Sequence, residues 1–548
     1  MLEELRGKGD VAYFVTETAI DKTLPFQTGG LGVLAGGIFR EAYEQGYPML
    51  GVSVWPKCRT EQYIDRERER MGFRYPEINT DGIIKYAGRI SIAISGVRNF
   101  VDIGLLPEGQ LGTCPVLFLK TWGIPENGPL GQSNTLYLYG GTRETGCNEK
   151  MEIAHGIVLG RGTVKTLRTI GIDPLYHINE SWGVFVQLAL LEEERKLGKS
   201  EEDAIESVRE RTVFTNHTPI AAGNKKFPMG LVEELWGHES PVTRELLTTL
   251  SGDLFTFNST VTAIKLARRG GVSAVAKGHG QTMLDQWSEV LNPDELVSIT
   301  NGKNLAYWQH PRYQYVQNWA ELEEAKLAGK REFLRWIHDT TGLSWSENIL
   351  TIGEGGRWTG YKRKEILFRD EEWISSRLRQ NQIQIVAAGK PHPDEHAQIE
   401  AWNRVLRMSQ NRRRFPNLAV IPDYDLEKMR AMQQSVDLWM NTPIPPYEAC
   451  GSAGMGVSMN GGLNISIIDG WMCEVDEKNH FLIRSTDNDS EDLKLIQDMM
   501  DETIIPMYYH TKEEWYRMGF AAMQEILSMF TTARVLREYD EKMYRPQR

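Results

Sequence analysis

The sequence predicts an α/β protein made of two doubly wound halves, each a parallel sheet flanked by helices. Two observations predict it. Short apolar runs bounded by Gly, Pro or Asn alternate with helical stretches along most of the chain, the pattern of parallel strands joined by helical crossovers. The length of 548 residues also exceeds what one hydrophobic core organises, so two or more domains are expected.

In chain order, Val11 to Val15 reads as a buried strand. A polar stretch, the glycine loop QTGGLGVLAGG and an amphipathic segment through about Tyr47 follow, then a second strand from Tyr47 to Trp55. Asp173 to Ile178 and Thr212 to Asn216 read as strand ends with loops attached, and Val184 to Leu197 has helical periodicity with a Glu-rich face. The second half repeats the logic. Its expected strands are Ile349–Gly353, Ile383–Ala388, Leu418–Pro422, Val436–Asn441 and Leu463–Ile468, with helices at His396–Met408 and Leu426–Gln434. A boundary is expected near residue 301, and the chain from about Glu513 reads as helices. The expected domains are 1–300, 301–512 and 513–548.

Hydrophobic residues make up 41% and charged residues 25%, so sizeable cores exist and wholesale disorder is excluded. Lys plus Arg is 62 against 74 for Asp plus Glu, a net charge of −12. That balance disfavours sequence-independent nucleic-acid binding and docking on anionic membranes. No apolar run of about 18 residues occurs, and MLEELRGKGD lacks the basic start and apolar core of a leader, so a cytoplasmic protein is expected. The cysteines Cys58, Cys114, Cys147, Cys450 and Cys473 are odd in number and form no CxxC pair, which points to reduced thiols and no zinc knuckle.

Four segments after expected strands carry chemistry, since ligands of open α/β sheets sit beyond the carboxyl ends of the strands. Gly29, Gly30 and Gly32 would let backbone amides approach an anion at a helix start. Gly30, Gly32 and Ala35 also fit G-x-G-x-x-A, but the loop lies too far from its strand for a dinucleotide turn; a plain glycine turn is the alternative. Arg357 and Lys362 in GEGGRWTGYKR flank what reads as a helix opening, where two cations and a helix dipole would hold a phosphate or diphosphate; a solvated basic helix start is the alternative. Glu448, Ala449, Cys450 and Gly451 in PPYEACGSAGMG offer a carboxylate and bare amides to sugar hydroxyls, or else a helix cap. His217 in TNHTP follows a strand, where a hydrogen-bonded structural histidine competes with a catalytic one. His392 and His396 lack a third ligand, so no metal is expected.

Taken together and in register, PFQTGGLGVLAGG, LYLYGGTRE, YHINESWGVF, VFTNHTPIAAGNKKF, ITNGKNLAYW, GRWTGYKR, AAGKPHP and the stretch LWMNTPIPPYEACGSAGMGVSMNGGLNISIIDGW resemble the α-glucan (glycogen/maltodextrin) phosphorylase family. The resemblance spans roughly residues 11 to 475. It implies the GT-B fold, with two Rossmann-like domains facing across a cleft and a C-terminal helix returning to the first. It implies that Gly29, Gly30 and Gly32 face phosphate, and that Arg357 and Lys362 bind it. Asn179 and Glu180 fall in the substrate-binding N-E-G-H segment. Glu448, with the backbone of Cys450 and Gly451, is implied as a sugar-hydroxyl clamp, and His217 as the histidine beside the anomeric carbon.

Three places depart from the family. The lysine that forms a Schiff base with pyridoxal phosphate is Gly456, and glycine has no amine, so a covalent cofactor is excluded at that position and none is expected. The N-E-G-H segment reads Asn179-Glu180-Ser181-Trp182, and N-G-V-H reads Asn301-Gly302-Lys303-Asn304; each loses its histidine. In the family, cofactor and inorganic phosphate together fill about the space of a nucleoside diphosphate. The favoured expectation is therefore a retaining hexosyltransferase that uses a nucleotide sugar. The alternatives are a divergent phosphorylase, with pyridoxal phosphate held noncovalently or absent, and a non-catalytic glucan-binding protein. Expected partners are a nucleotide sugar or sugar phosphate donor and a sugar, glucan or small-molecule acceptor, with no nucleic acid and no membrane; a homodimer is compatible.

Overall fold

The computed structural model describes residues 5, 9–65, 67–128 and 148–545; most of the N-terminal MLEELRGKGD segment, Cys147 and LYLYGGTRE lie outside the described residues. The chain divides into two compact units, Met1–Arg59 with Tyr75–Thr300 and Val535–Arg548, and Thr60–Arg74 with Asn301–Arg534.

The first unit is organised by a nine-stranded sheet in the order Leu296–Ser298, Val272–Ala274, Thr212–Thr215, Leu175–Asn179, Val11–Phe14, Met49–Val54, Val116–Lys120, Val97–Leu106, Lys85–Ile94. The first seven run parallel, and the last two form an antiparallel hairpin at the edge. Successive side chains of the central strand enter different cores. Ala12 and Phe14 join one apolar cluster, while Val11, Tyr13 and Val15 join the other. A strand covered on both faces reads as an unbroken apolar run, which is why VAYFV was legible. The antiparallel edge was not expected; Lys85–Ile94 is largely exposed or half-buried, and Val97–Leu106 starts exposed before its last six residues become buried.

Residues 535–545 complete this unit. Val535, Leu536, Tyr539, Met543 and Tyr544 lie in the cluster beneath the central strands. The Tyr544 hydroxyl lies 2.6 Å from Nδ1 of buried His177, and the Tyr539 ring meets the same imidazole edge-on at 4.8 Å.

The second unit has a six-stranded, all-parallel sheet in the order Leu418–Ile421, Ile383–Ala388, Leu350–Glu354, Leu438–Asn441, Leu463–Ile467, Phe481–Ile483. The helix Trp319–Thr341 sends Lys330 into the core, where its ammonium bonds Asp437 at 2.5 Å; the same carboxylate accepts from the Thr351 amide at 2.9 Å.

The expected boundaries are redrawn at two places. The hairpin Glu61–Asp65/Arg70–Arg74 clusters with the second unit, because Gln62 and Asp423 exchange backbone–side-chain bonds (3.2 and 2.8 Å) and the Met71 amide donates to Asn403 at 2.8 Å. The helix Lys512–Met529 also stays there, lying so close that a Cβ on Gly519 would stand 2.8 Å from the Gly461 carbonyl oxygen. Only from Val535 does the chain rejoin the first unit.

Candidate functional site

The second unit gathers its chemistry where parallel strands end. Beyond Leu350–Glu354, Gly356 turns at φ +131°, and Arg357–Trp358 pairs with Lys390–Pro391 as a short two-stranded ladder. A single tight turn, Gly360–Lys362, follows, and then Arg363 at φ +45°. The basic loop therefore opens no α-helix, contrary to expectation, and no helix dipole adds to its charge; the next α-helix is Glu371–Arg379. The cause is Arg363, whose guanidinium bonds the carbonyls of Thr442 and Pro443 and pairs with Asp489 and Asp492, pulling the backbone out of helical geometry.

That anchoring aims Lys362 at the loop after Leu438–Asn441. Its ammonium stands 2.7 Å from each carboxylate oxygen of Glu448, with the two side chains 16% and 5% exposed. Burial pushes the lysine down, yet Glu448 outweighs burial and holds the ammonium above its usual range. Arg357 acts on the same ground: its charge opposes that of Lys362 and favours ionisation of Glu395, whose carboxyl burial pushes up. The Glu448 amide donates to Asp469 at 2.8 Å, and burial raises the Asp469 carboxyl to about 7. Gly451 sits under the Glu448 side chain at φ +80°, where a Cβ would meet Cγ of Glu448 at 3.0 Å. Ala449 and Cys450 are buried, and the Cys450 carbonyl accepts from the Trp471 amide at 3.0 Å. Arg357, Lys362, Glu448 and Gly451 are thus one charged cluster.

Beside it stands a second pair. Glu354, the last residue of its strand, is buried with its Oε1 unsatisfied, and it interacts electrostatically with buried Lys364. Burial pushes the carboxyl up and the ammonium down, which stores a proton-sensitive group beneath the cation loop.

The space around Gly456 is filled. Gly456 lies in the buried helix Ala453–Ser458, and a Cβ built on it would stand 2.0 Å from Oε1 of Gln433. A side chain at 456 would therefore require the Gln433 amide to move.

In the first unit, Gly29 caps the helix Gly30–Glu44. The Glu17 carboxylate accepts from the Thr28 amide (2.5 Å) and hydroxyl (2.6 Å), the Gly29 amide (2.9 Å) and the Gly32 amide (2.9 Å). A protein anion thus holds the amides of Gly29 and Gly32 that sequence reasoning offered to phosphate. Asn179 donates from Nδ2 to the Phe14 carbonyl at 2.9 Å, which turns its Oδ1 toward Nε2 of His217 at 2.8 Å. His217 therefore carries its proton on Nε2. Burial first, and then His279, push its imidazole down to about 3, so it is neutral at pH 7. Glu180 is buried with φ +65°, a strained backbone for a side-chain-bearing residue. His392 receives the Asp394 amide at 3.2 Å and His396 starts the helix His396–Gln410; among the described residues no cluster of three metal-ligating side chains forms.

Sequence reasoning missed Glu17, Glu354, Lys364 and Asp469. Glu17, Glu354 and Asp469 lie at or just after strand ends, so position held a signal. Gln433 and its partner Lys303 are 130 residues apart, and no local pattern joins them.

No family model matches the chain. It is 32% identical to an uncharacterized protein of Methanocaldococcus jannaschii, over 97% of this chain and 99% of that one. It is 28% identical to the maltodextrin phosphorylase of Thermococcus litoralis (97% of this chain, 70% of that one) and 28% identical to the glycogen phosphorylase of Aquifex aeolicus (98% and 86%). Among the described residues, no helix is long and apolar enough to cross a membrane.

Proposed function

The chain belongs to the glycogen/maltodextrin phosphorylase family as a divergent member, and from that premise we propose a retaining hexosyltransferase whose donor is a nucleotide-activated sugar. The observation that carries the reading is a cation cluster without the family's cofactor amine: Lys362 locked to Glu448, Arg357 beside it, and Gln433 in the space above Gly456. In this reading, Arg357 and the remaining donor of Lys362 hold the departing diphosphate, where negative charge grows as the sugar leaves. Glu448 positions Lys362 and accepts from sugar hydroxyls. The bond between the anomeric carbon and the phosphate oxygen breaks, and the acceptor hydroxyl oxygen bonds that carbon on the same face. Its proton passes to the departing phosphate oxygen, so no protein nucleophile is required. Nucleic acid and membrane have no part in it.

A second reading is favoured by the names of the relatives: phosphorolysis of an α-glucan without covalent cofactor. Thermal shift separates the two. A nucleoside diphosphate at 100 times its dissociation constant adds about 2.7 kcal/mol to stability. A melting shift with one member of a nucleoside diphosphate panel, absent with phosphate plus maltodextrin, is the expected result. The opposite pattern refutes the nucleotide-sugar donor.

A further inference from the structure

Lys303 is 2% exposed, and its backbone is held on both sides, the amide donating to the Phe530 carbonyl (2.9 Å) and the carbonyl accepting from the Thr532 amide (3.0 Å). Its ammonium stacks 3.6 Å from the centre of the Trp308 ring and lies 3.4 Å from Oε1 of Gln433. That is the same oxygen that would stand 2.0 Å from a Cβ on Gly456. Trp308 is fixed in turn, its carbonyl accepting from Gln434 (3.2 Å) and Asn460 (3.0 Å). Four residues from three separated segments, 303 and 308, 433, and 456, thus fill one volume with no carboxylate among them. An amine buried without a counter-ion is costly unless a hydrogen bond and an aromatic face replace its water, and here both are present.

We propose that Lys303 and Gln433, braced by Trp308, form an internal plug that occupies the place of the family's cofactor-bearing lysine and shuts pyridoxal phosphate out. The glutamine amide takes the volume that a side chain at 456 needs, and the lysine holds that amide in place. Burial brings the Lys303 amine down to about 7, so much of it is uncharged at neutral pH, which eases its enclosure. The inference rests on the family assignment and is independent of which donor the chain uses.

The test uses pyridoxal 5′-phosphate with borohydride, which reduces any imine formed between a lysine and the aldehyde to a stable label, followed by peptide mass mapping of the full chain. In the wild-type protein, Lys303 is expected to stay unlabelled while folded and to label once denatured. Label at Lys303 in the folded protein overturns the plug, because the amine would then be an open aldehyde-binding group. Gly456→Lys alone is expected to melt at lower temperature and to take no label at 456. Gln433→Ala with Gly456→Lys is expected to regain melting temperature and to be labelled at 456. Label at 456 with unchanged melting in the single variant, or a folded double variant without label, overturns the proposal. If neither variant folds, protection of Lys303 in the wild type decides.

Discussion

Replacing Glu448 by Gln tests whether the cation cluster is built as described. The Lys362 ammonium sits 2.7 Å from both Glu448 oxygens with its side chain 16% exposed, so solvent screens the pair little. At an effective dielectric of 20 the gross attraction over that distance is about 6 kcal/mol. Desolvation offsets part of it, and removing one partner of a buried pair costs about 3–5 kcal/mol. Because Gln keeps an acceptor, the lower end, about 3 kcal/mol, is expected for Glu448→Gln in urea unfolding of the second unit. Lys362→Met should cost a similar amount, and the double variant about the same rather than the sum, a coupling of about 3 kcal/mol. The pH dependence has a definite sign. With Glu448 present the ammonium is held above its usual value, so the pair's stabilisation is complete below about 10.4 and is lost as pH rises through the higher folded value. In Glu448→Gln, burial and the Arg357 charge outweigh Tyr361, and the folded value falls below the unfolded one. The variant should therefore gain stability as pH rises toward about 10.4, and the gap to wild type should narrow. Additive single costs, with coupling under about 0.5 kcal/mol, refute the pairing.

Gly451→Ala places a Cβ 3.0 Å from Cγ of Glu448 at φ +80°; it should cost about 1–2 kcal/mol and weaken the nucleotide-induced melting shift, whereas Gly46→Ala, at φ +60° with nothing within 4 Å, should show a similar stability cost and an unchanged ligand shift. Glu17→Gln should lower the first unit's stability by about 2 kcal/mol and speed hydrogen exchange at the Gly29 and Gly32 amides, which unchanged exchange would contradict. His217 is neutral with its folded value near 3 against 6.5 unfolded, so its contribution is complete above pH 6.5 and is lost as pH falls toward 3, on the order of 5 kcal/mol in all; His217→Gln should flatten acid unfolding across that window.

The sheets were legible because short runs rich in apolar and β-branched residues, bounded by Gly, Pro or Asn, mark their strands: Ile383–Ala388 is found as expected and its neighbours differ by a residue or two at their ends. The edge hairpin Lys85–Ile94/Val97–Leu106 escaped because its first strand is mostly exposed or half-buried and Asp102 and Gly104 interrupt the apolar residues of its second. Arg357, Lys362 and Glu448 were singled out by type and by position after strands, and the structure pairs Lys362 with Glu448. The helix expected at Lys362 failed because Arg363 is captured by carbonyls and carboxylates 79 to 129 residues away. For the same reason the glycine loop read as an anion site: its amides do meet an anion, but Glu17 supplies it from within the fold.

The return of residues 535–545 bears on how the protein is made. Tyr13, on the central strand, and His177 are packed against Tyr539 and Tyr544, which leave the ribosome more than five hundred residues after Tyr13. During synthesis the first sheet must wait, incompletely covered, while every strand of the second one emerges. A nascent chain stalled before Val535 would present an apolar face to chaperones, and the earliest strand would be among the last to gain its final neighbours.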